Sequence, residues 1–448
     1  MTLLSSFRWR SCSRSEVCVA LLLSGIMVAQ AAPPLPAPTP LATLVAEAER
    51  NSPEIGSAQA VWRAAQEVPA QVGSLPDPQF TLQQLSVGSP RPFAGYSKSD
   101  FAYLGVGVSQ DLPYPGKLRL RAEEARRAAA VTKDGVDAAR LRVRQRVSTL
   151  YYELAYIQET LRLLQRNQSL LQQLERVAVD HYRVGEGGQS DVLRAQVQQT
   201  KLLRDLATQR EERGRLQAAL RQVLNRPADA PPIIADTLTE TRLPLTTATL
   251  QALVLSANPD LQARQDMVSQ QTAHLAVARK DLKPDFNAQY MYQRTGPRFR
   301  DYYMLTLGVR LPLHHRKQSA EIGEAVADLD RARQDVEVES QQVSYALREQ
   351  VLAAETGERL LRIYRDGLLP QAQASVQSSL AAYAANRLDL STVLGAYLDQ
   401  VQVEQEYWRT LAGHESALSR VEELTGVSPV PGAASASAAQ EVDHEQLP

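Results

Sequence analysis

Three groups of residues have types and spacings that could do chemistry. The first is the stretch YRVGEGGQSDVLRAQ, Tyr182 to Gln196, where Gly185, Gly187 and Gly188 run into Ser190-Asp191. Glycines ahead of a helix can aim backbone N–H groups at a phosphate, but that chemistry needs a Gly-Lys-Ser/Thr ending after a strand, and none is present. The second is His314-His315, following Leu311-Pro312-Leu313. Adjacent histidines do not share a helix face as an i, i+4 pair does, so a polar collar is expected there rather than a metal site. His181, His274 and His414 stand alone and are not expected to be ligands. The third group is acidic: Glu186, Asp191 and Asp389. Repeated by symmetry around a pore, such carboxylates would favour cations; singly, each reads equally well as a solvated turn or cap residue. No G-x-S-x-G, H-E-x-x-H or Walker pattern occurs, so no enzyme, cofactor or bound metal is expected.

Residues like these need elements to position them. The chain has 448 residues, 49 basic against 50 acidic, and only 6% aromatics. That balance gives no reason to expect a nucleic-acid partner. The first 31 residues read as a secretory signal peptide. Arg8, Arg10 and Arg14 precede the apolar run Val17 to Ala29, and Ala29-Gln30-Ala31 suits cleavage. Both cysteines, Cys12 and Cys18, fall inside it, so the mature chain is expected to have no disulfide, thiolate site or N-terminal lipid. Residues 32–40 read as a Pro-rich linker and 430–448 as a disordered tail. No later run is apolar enough for a membrane helix; insertion, if it occurs, must use strands.

Between them lies a duplication, 41–235 and 236–429. Pro53, Pro78 and Phe80 match Pro259, Pro284 and Phe286 at a spacing of 206, and Leu112-Pro113 matches Leu311-Pro312 at 199. The opening stretch matches YAANRLDLSTVLGAY at 201, pairing Tyr182 with Tyr383, Ser190 with Ser391, and Val192-Leu193 with Val393-Leu394. Gly185 falls over Asn386, the two residue types that most readily end a helix in the left-handed conformation. Both stretches therefore read as chain reversals between helices, with Ser190 and Ser391 as N-caps of the returning ones.

Each half predicts a short helix (41–50; 248–256), then a helix started by Pro53 or Pro259 and ending near Leu75 or Leu282. Two strands follow, then a very long helix from Lys117 or Lys317 to the reversal, and a return helix (191–225; 392–424). Val143, Val147, Leu150, Leu154, Ile157, Leu161 and Leu164 form a heptad seam. Gly357, Gly367 and Pro370 predict a kink or break in the second long helix. A return helix and a pre-strand helix, end to end, match the length of the outgoing helix, so each long helix should lie antiparallel to a composite of two shorter ones. The strands alternate. Phe286, Ala288, Tyr290 and Tyr292 share a face, as do Leu305, Leu307, Val309 and Leu311, and Val106, Val108 and Leu112. With Phe101, Tyr103, Tyr302 and Tyr303 near their ends, this suits a barrel wall with an aromatic girdle; a half-buried sheet of a soluble domain shows the same alternation. Four strands cannot close a barrel of about eight or more, so cyclic copies are required, and a trimer with twelve strands is the natural choice.

The duplicated halves, the V-G-(x)5-D-V-L-x-A pattern at Val184 to Ala195, its partner at Ala385 to Ala396, and SQDLPYPGKLR at Ser109 to Arg119 resemble the TolC-like outer-membrane efflux proteins. The resemblance spans about Leu41 to Pro429. It implies a mainly α fold with a small β part: duplicated long-helix hairpins forming an α-barrel tunnel, and four strands per chain in a trimeric twelve-stranded outer-membrane barrel. It implies partners too: a periplasmic adaptor, an inner-membrane pump of resistance-nodulation-division type, and outer-membrane lipid. Gly185, Ser190, Asp191, Val192, Leu193, Asn386, Ser391, Val393 and Leu394 would then lie at the tips that meet the adaptor. QDLPYPGKLR looks most like the heavy-metal branch. TolC carries D-V-L-D at the second reversal; Thr392-Val393-Leu394-Gly395 stands here, so that acidic gate does not carry over. The function implied is a passive duct for small molecules or metal cations in a tripartite exporter of a Gram-negative bacterium. A soluble periplasmic coiled-coil scaffold, or a secreted helical enzyme, are the competing readings.

Overall fold

A computed structural model of the chain describes residues 38–87, 102–243, 245–295, 301–385 and 387–426. Residues 1–37 and 38–448 are separate units, and every described helix and strand belongs to the second. The signal-peptide, tail, Phe101 and Asn386 expectations, and most of the linker, lie outside the described residues.

The first repeat runs α1 (Leu41–Asn51), α2 (Pro53–Gly73), β1 (Gln79–Leu85), β2 (Tyr103–Leu112), α3 (Lys117–Arg183) and α4 (Gln189–Val223). The second runs α5 (Thr247–Ala257), α6 (Pro259–Lys280), β3 (Asp285–Thr295), β4 (Tyr302–Arg310) and α7 (His315–Ile363). A π-helical turn (Tyr364–Leu368) then leads to α8 (Leu369–Ala384) and α9 (Leu390–Thr425). Pro53 and Pro259 each open a helix, where a missing N–H costs nothing. Asn258 also caps α6, its Oδ1 accepting from Leu261 N–H at 3.0 Å while its Nδ2 donates to the Leu424 carbonyl.

Helix α3 has 67 residues and is about 100 Å long. The kink or break expected in its counterpart takes the form of a local irregularity rather than an end to the helix. The helix continues through 364–368 as a single π turn, with Leu369 N–H bonded to the Tyr364 carbonyl five residues back. Pro370 has no N–H to offer, and the extra residue of a π turn is how the helix absorbs that loss.

The composite packing is present. Helix α2 lies along the first part of α3, where Gly73 approaches Ala122. Helix α4 lies along the last part, where Gln199 donates to Glu175 and Leu171. Helices α6 and α9 flank α3 elsewhere, through His274 to Glu124 at 2.9 Å and through Arg166 to Glu404 and Arg144 to Glu422. Beyond them come α7 and α8. The order is therefore α2/α4, α3, α6/α9, α7/α8. The heptad seam of α3 enters the main core, all of it buried except the partly buried Leu150. An extended strap, residues 231–243, crosses the helices on that face. Gln217 of α4 bonds both backbone groups of Ile233, Tyr151 of α3 accepts from Asp236 N–H, and Glu415 of α9 accepts from Thr241 N–H.

The sheet is antiparallel in the order β1-β2-β3-β4. Its register sets Phe80 beside Val108, Leu82 beside Val106, Val108 beside Tyr290, Tyr290 beside Leu305 and Ala288 beside Leu307. One face is thus apolar across all four strands. Phe80, Leu305 and Leu307 on it are 84%, 66% and 73% exposed. The opposite face carries Gln83, Ser109, Asn287, Gln289 and Thr306. Among the described residues no helix is long and apolar enough to cross a membrane.

Candidate functional site

The helical tips are built by two matching reversals. At the first, Gly185 has φ +78°, Glu186 N–H bonds the His181 carbonyl at 2.9 Å and Gly185 N–H bonds that of Tyr182 at 3.2 Å. These two bonds define a Schellman end, and glycine is the residue that tolerates its left-handed position. At the second, Arg387 N–H bonds the Ala382 carbonyl at 2.9 Å, the equivalent of the Glu186 bond.

The N-caps fall earlier than the sequence suggests. Helix α4 is capped by Gly188 and α9 by Asp389, both extended, so Ser190 and Ser391 are already inside their helices. The Schellman bonds turn the chain within two or three residues, and the return helix starts before either serine. Neither Gly188 nor Asp389 makes a side-chain cap bond.

The two tips are not alike on their surfaces. Leu193 is 53% exposed and Val184 69%, while their neighbour Val192 packs partly against the core. Val393 and Leu394, the counterparts of Val192 and Leu193, are buried among Leu390, Tyr397 and Tyr383. Gly185, Glu186, Ser190, Asp389 and Ser391 are exposed and Asp191 is half-buried. The charge of Asp191 reaches across to the other tip. Burial, and then the Asp191 charge, push the Tyr383 phenol up. The His181 ring lies 5.2 Å from the Tyr383 ring, and Gly187 gives it room, since a Cβ there would sit 3.1 Å from the His181 Cβ. Tyr182 is the counterpart of Tyr383 in the duplicated sequence; in the fold it is His181, one residue earlier, that meets Tyr383.

At the other end a buried lysine joins strands to helices. Lys117, 3% exposed, donates to the Lys283 carbonyl at 3.0 Å and pairs with Asp285 at 2.9 Å and Asp281 at 3.4 Å. Asp285 also accepts from Tyr114 N–H, and Lys280 lies over the Tyr114 ring. The PYPGK stretch is therefore the clamp of the β-to-α junction, a role that only the partner acids, 164 and 168 residues further on, make legible. His314 and His315 are exposed at the equivalent junction, where His314 precedes the first turn of α7. Among the described residues no group of three or more His, Cys, Asp or Glu is placed to hold a metal ion.

Comparison with known proteins fits this geometry. The family described as outer membrane efflux protein matches residues 44–226. The pyoverdine export outer membrane protein OpmQ of Pseudomonas putida is 23% identical over 385 residues, covering 82% of this chain and 81% of the relative. Among solved structures, the outer membrane protein VceC of Vibrio cholerae has a TM-score of 0.72 at 18% identity, covering 87% of this chain and 97% of its own. The CmeC outer membrane channel of Campylobacter jejuni has a TM-score of 0.74 at 14% identity, with 89% of each chain covered. CusC, described as forming a transmembrane channel, also has a TM-score of 0.74 at 14% identity, covering 86% of this chain and 92% of its own.

Proposed function

Because residues 44–226 match the outer membrane efflux protein family, we propose that this chain belongs to it and is the duct of a tripartite exporter, three copies closing into one tunnel. It resides in the outer membrane, with its helices on the periplasmic side. The observation that carries the proposal is that the same two sides are unfinished at both levels. Among the described residues, strands β1 and β4 are the sheet's outer strands, each paired on one side only. Helices α2 and α7, which join those strands, are the outer members of the helical layer and carry exposed apolar residues: Val61 and Val68 on α2, Val326, Val338, Tyr345 and Leu352 on α7. One side is therefore made to meet the other on a second copy, head to tail, and a rotation that repeats this contact closes a ring. Three copies supply twelve strands, above the minimum for a membrane barrel, with the apolar face towards lipid and the Gln, Asn, Ser and Thr face inward.

In this reading the tips at Gly185 to Leu193 and Asn386 to Leu394 meet a periplasmic adaptor, which links the duct to an inner-membrane pump of the resistance-nodulation-division type. Leu193 and Val184 supply its apolar contact, and Glu186, Asp191 and Asp389 are the acids that line the entry. The cargo is a small molecule or a metal cation. The name of OpmQ, a pyoverdine export protein, favours a small organic cargo; the QDLPYPGKLR stretch, with its resemblance to the heavy-metal branch, favours a metal ion. The deciding experiment is to express the whole chain, fractionate the membranes and weigh the extracted protein. A detergent-requiring trimer that gives ion conductance in planar bilayers supports the duct. A soluble monomer or dimer in the periplasm refutes it in favour of a coiled-coil scaffold.

A further inference from the structure

His414 lies on α9 with 2% of its surface exposed. Its Nδ1 is 3.0 Å from the Ala354 carbonyl oxygen of α7, and its Nε2 is 2.6 Å from the Thr241 carbonyl oxygen of the strap. A carbonyl oxygen only accepts. A neutral imidazole has one N–H and one lone pair, so it can satisfy one of these contacts and sets lone pair against lone pair at the other. An imidazolium has two N–H groups and satisfies both. A buried cation needs a counter-charge, and the next residue supplies it: Glu415 is 4% exposed and its Oε1 accepts from Thr241 N–H at 2.7 Å. Thr241 is thus gripped at its N–H by Glu415 and at its carbonyl by His414. Gly357 opens the slot for the ring, since a Cβ there would stand 3.0 Å from the His414 Cβ and 3.1 Å from Nδ1.

We propose that His414 is a protonation-controlled latch, which as imidazolium ties the strap to α7 and as neutral imidazole releases one of the two. The ionisable groups around the ring leave this assignment to the pair. On α9 it is Glu415. Burial holds its carboxyl above the ordinary value, the Thr241 bonds and His414 pulling it only part of the way back. On α3 it is Tyr152, whose phenol burial and the charges of Glu415 and Glu422 push up, so it stays neutral. On the strap, Glu240 pairs with Arg365, and Arg242 is exposed. On α7, Glu358 pairs with Arg362. The latch is closed while the ring carries both protons and opens when it holds one.

Its place gives it leverage. The strap holds α7 at Ala354, before the π turn, and again inside that turn through Arg365, while Tyr364 donates to Glu406 of α9 at 3.1 Å. Losing the first grip frees α7 to pivot at its one irregular turn, on the side of the layer next to a neighbouring copy.

The test is hydrogen exchange of the full-length, detergent-extracted protein at pH 5.5 and 8.5, with rates corrected for intrinsic pH dependence. Strap amides at 240–243 should exchange at least tenfold faster at the higher pH, while the heptad face of α3 stays protected. His414→Gln, whose donor does not titrate, should abolish the difference. A chain with His181, His274, His314 and His315 replaced by Gln, but His414 kept, should retain it, and stands as the control if H414Q fails to fold. Equal corrected protection at both pH values in the wild type overturns the latch. So does a difference that persists in H414Q or disappears in the four-histidine variant.

Discussion

If copies meet head to tail, the residue levels that face each other are set by contacts within one chain. Gly73 of α2 stands opposite Ala122 of α3, His274 of α6 bonds Glu124 of α3, and Leu275 packs with Ala325 and Leu329 of α7. These contacts define one level across the layer. Val61 lies twelve residues back along α2 from it, and Val338 thirteen residues on along α7, both about 18–20 Å further from the sheet. Val61 is 55% exposed and Val338 51%. Complete burial of a valine is worth roughly 1.5 kcal/mol or somewhat more, so covering the exposed half of each contributes about 0.8 kcal/mol. The pair is then worth ~1.5 kcal/mol per interface, or roughly 4–5 kcal/mol over the three interfaces of a trimer. The double change Val61→Ser with Val338→Ser should lower the temperature at which the detergent-solubilised trimer dissociates, leaving the helical circular dichroism of the chain unchanged. Because no cysteine follows Cys18, V61C with V338C gives an uncluttered second readout. A short bifunctional maleimide should join copies into covalent ladders ending at the trimer. An undiminished dissociation temperature together with no intermolecular cross-link would refute the head-to-tail arrangement.

Three further outcomes rest on single residues. Gly185→Val forces a β-branched residue to φ +78° at a cost of about 1–2 kcal/mol. With nothing within 4 Å of its Cβ that cost is purely conformational, so export should fall while trimer yield stays unchanged. Asp134 is held up at about 6, by burial first and then by the Asp266 and Asp137 charges. A raised carboxyl contributes stability below its unfolded value of 3.8 that is lost as pH rises through about 6. Asp134→Asn should therefore stabilise the protein at pH 7.5, by ~1 kcal/mol once solvent screening of this partly buried site is allowed for, and by almost nothing at pH 4, read as denaturation midpoints. Lys117→Met strands Asp281 and Asp285 without their cation. Both acids keep some solvent contact, so the loss should be about 2 kcal/mol rather than the 3–5 of a fully buried pair, seen as reduced barrel assembly in heat-modifiability gels.

Periodicity made the large elements legible. The heptad of α3 predicted its buried face, strand alternation predicted the apolar side of the sheet, and the two prolines predicted where α2 and α6 begin. What periodicity cannot carry is contact between distant parts of the chain. His414 reads as an isolated helical histidine until the strap, 173 residues earlier, brings Thr241 to its Nε2. Lys117 reads as the first charge of a helix until Asp281 and Asp285 close over it. The serines misled for a local reason: a cap is chosen by where the backbone turns, and the Schellman bonds turned it two residues before Ser190 and Ser391.

Duplication in sequence has not produced equivalence in space, and the difference has a physical cause. Helix α3 has neighbours on both sides within one chain, so its faces are spent on α2, α4, α6 and α9 and it runs 67 residues without interruption. Its counterpart has neighbours on one side only and leaves Val338, Tyr345 and Leu352 uncovered. A helix enclosed on both sides could not take a π turn without disturbing two packed seams, whereas one enclosed on a single side can. The irregularity at 364–368 therefore sits on the long helix with a free face, and the strap's ties to Ala354 through His414 and to Arg365 hold that same helix in place. Whatever changes the aperture of a closed ring must move elements against their neighbours. In this chain the long helix with the fewest intrachain constraints is the one fitted with both a hinge and a latch.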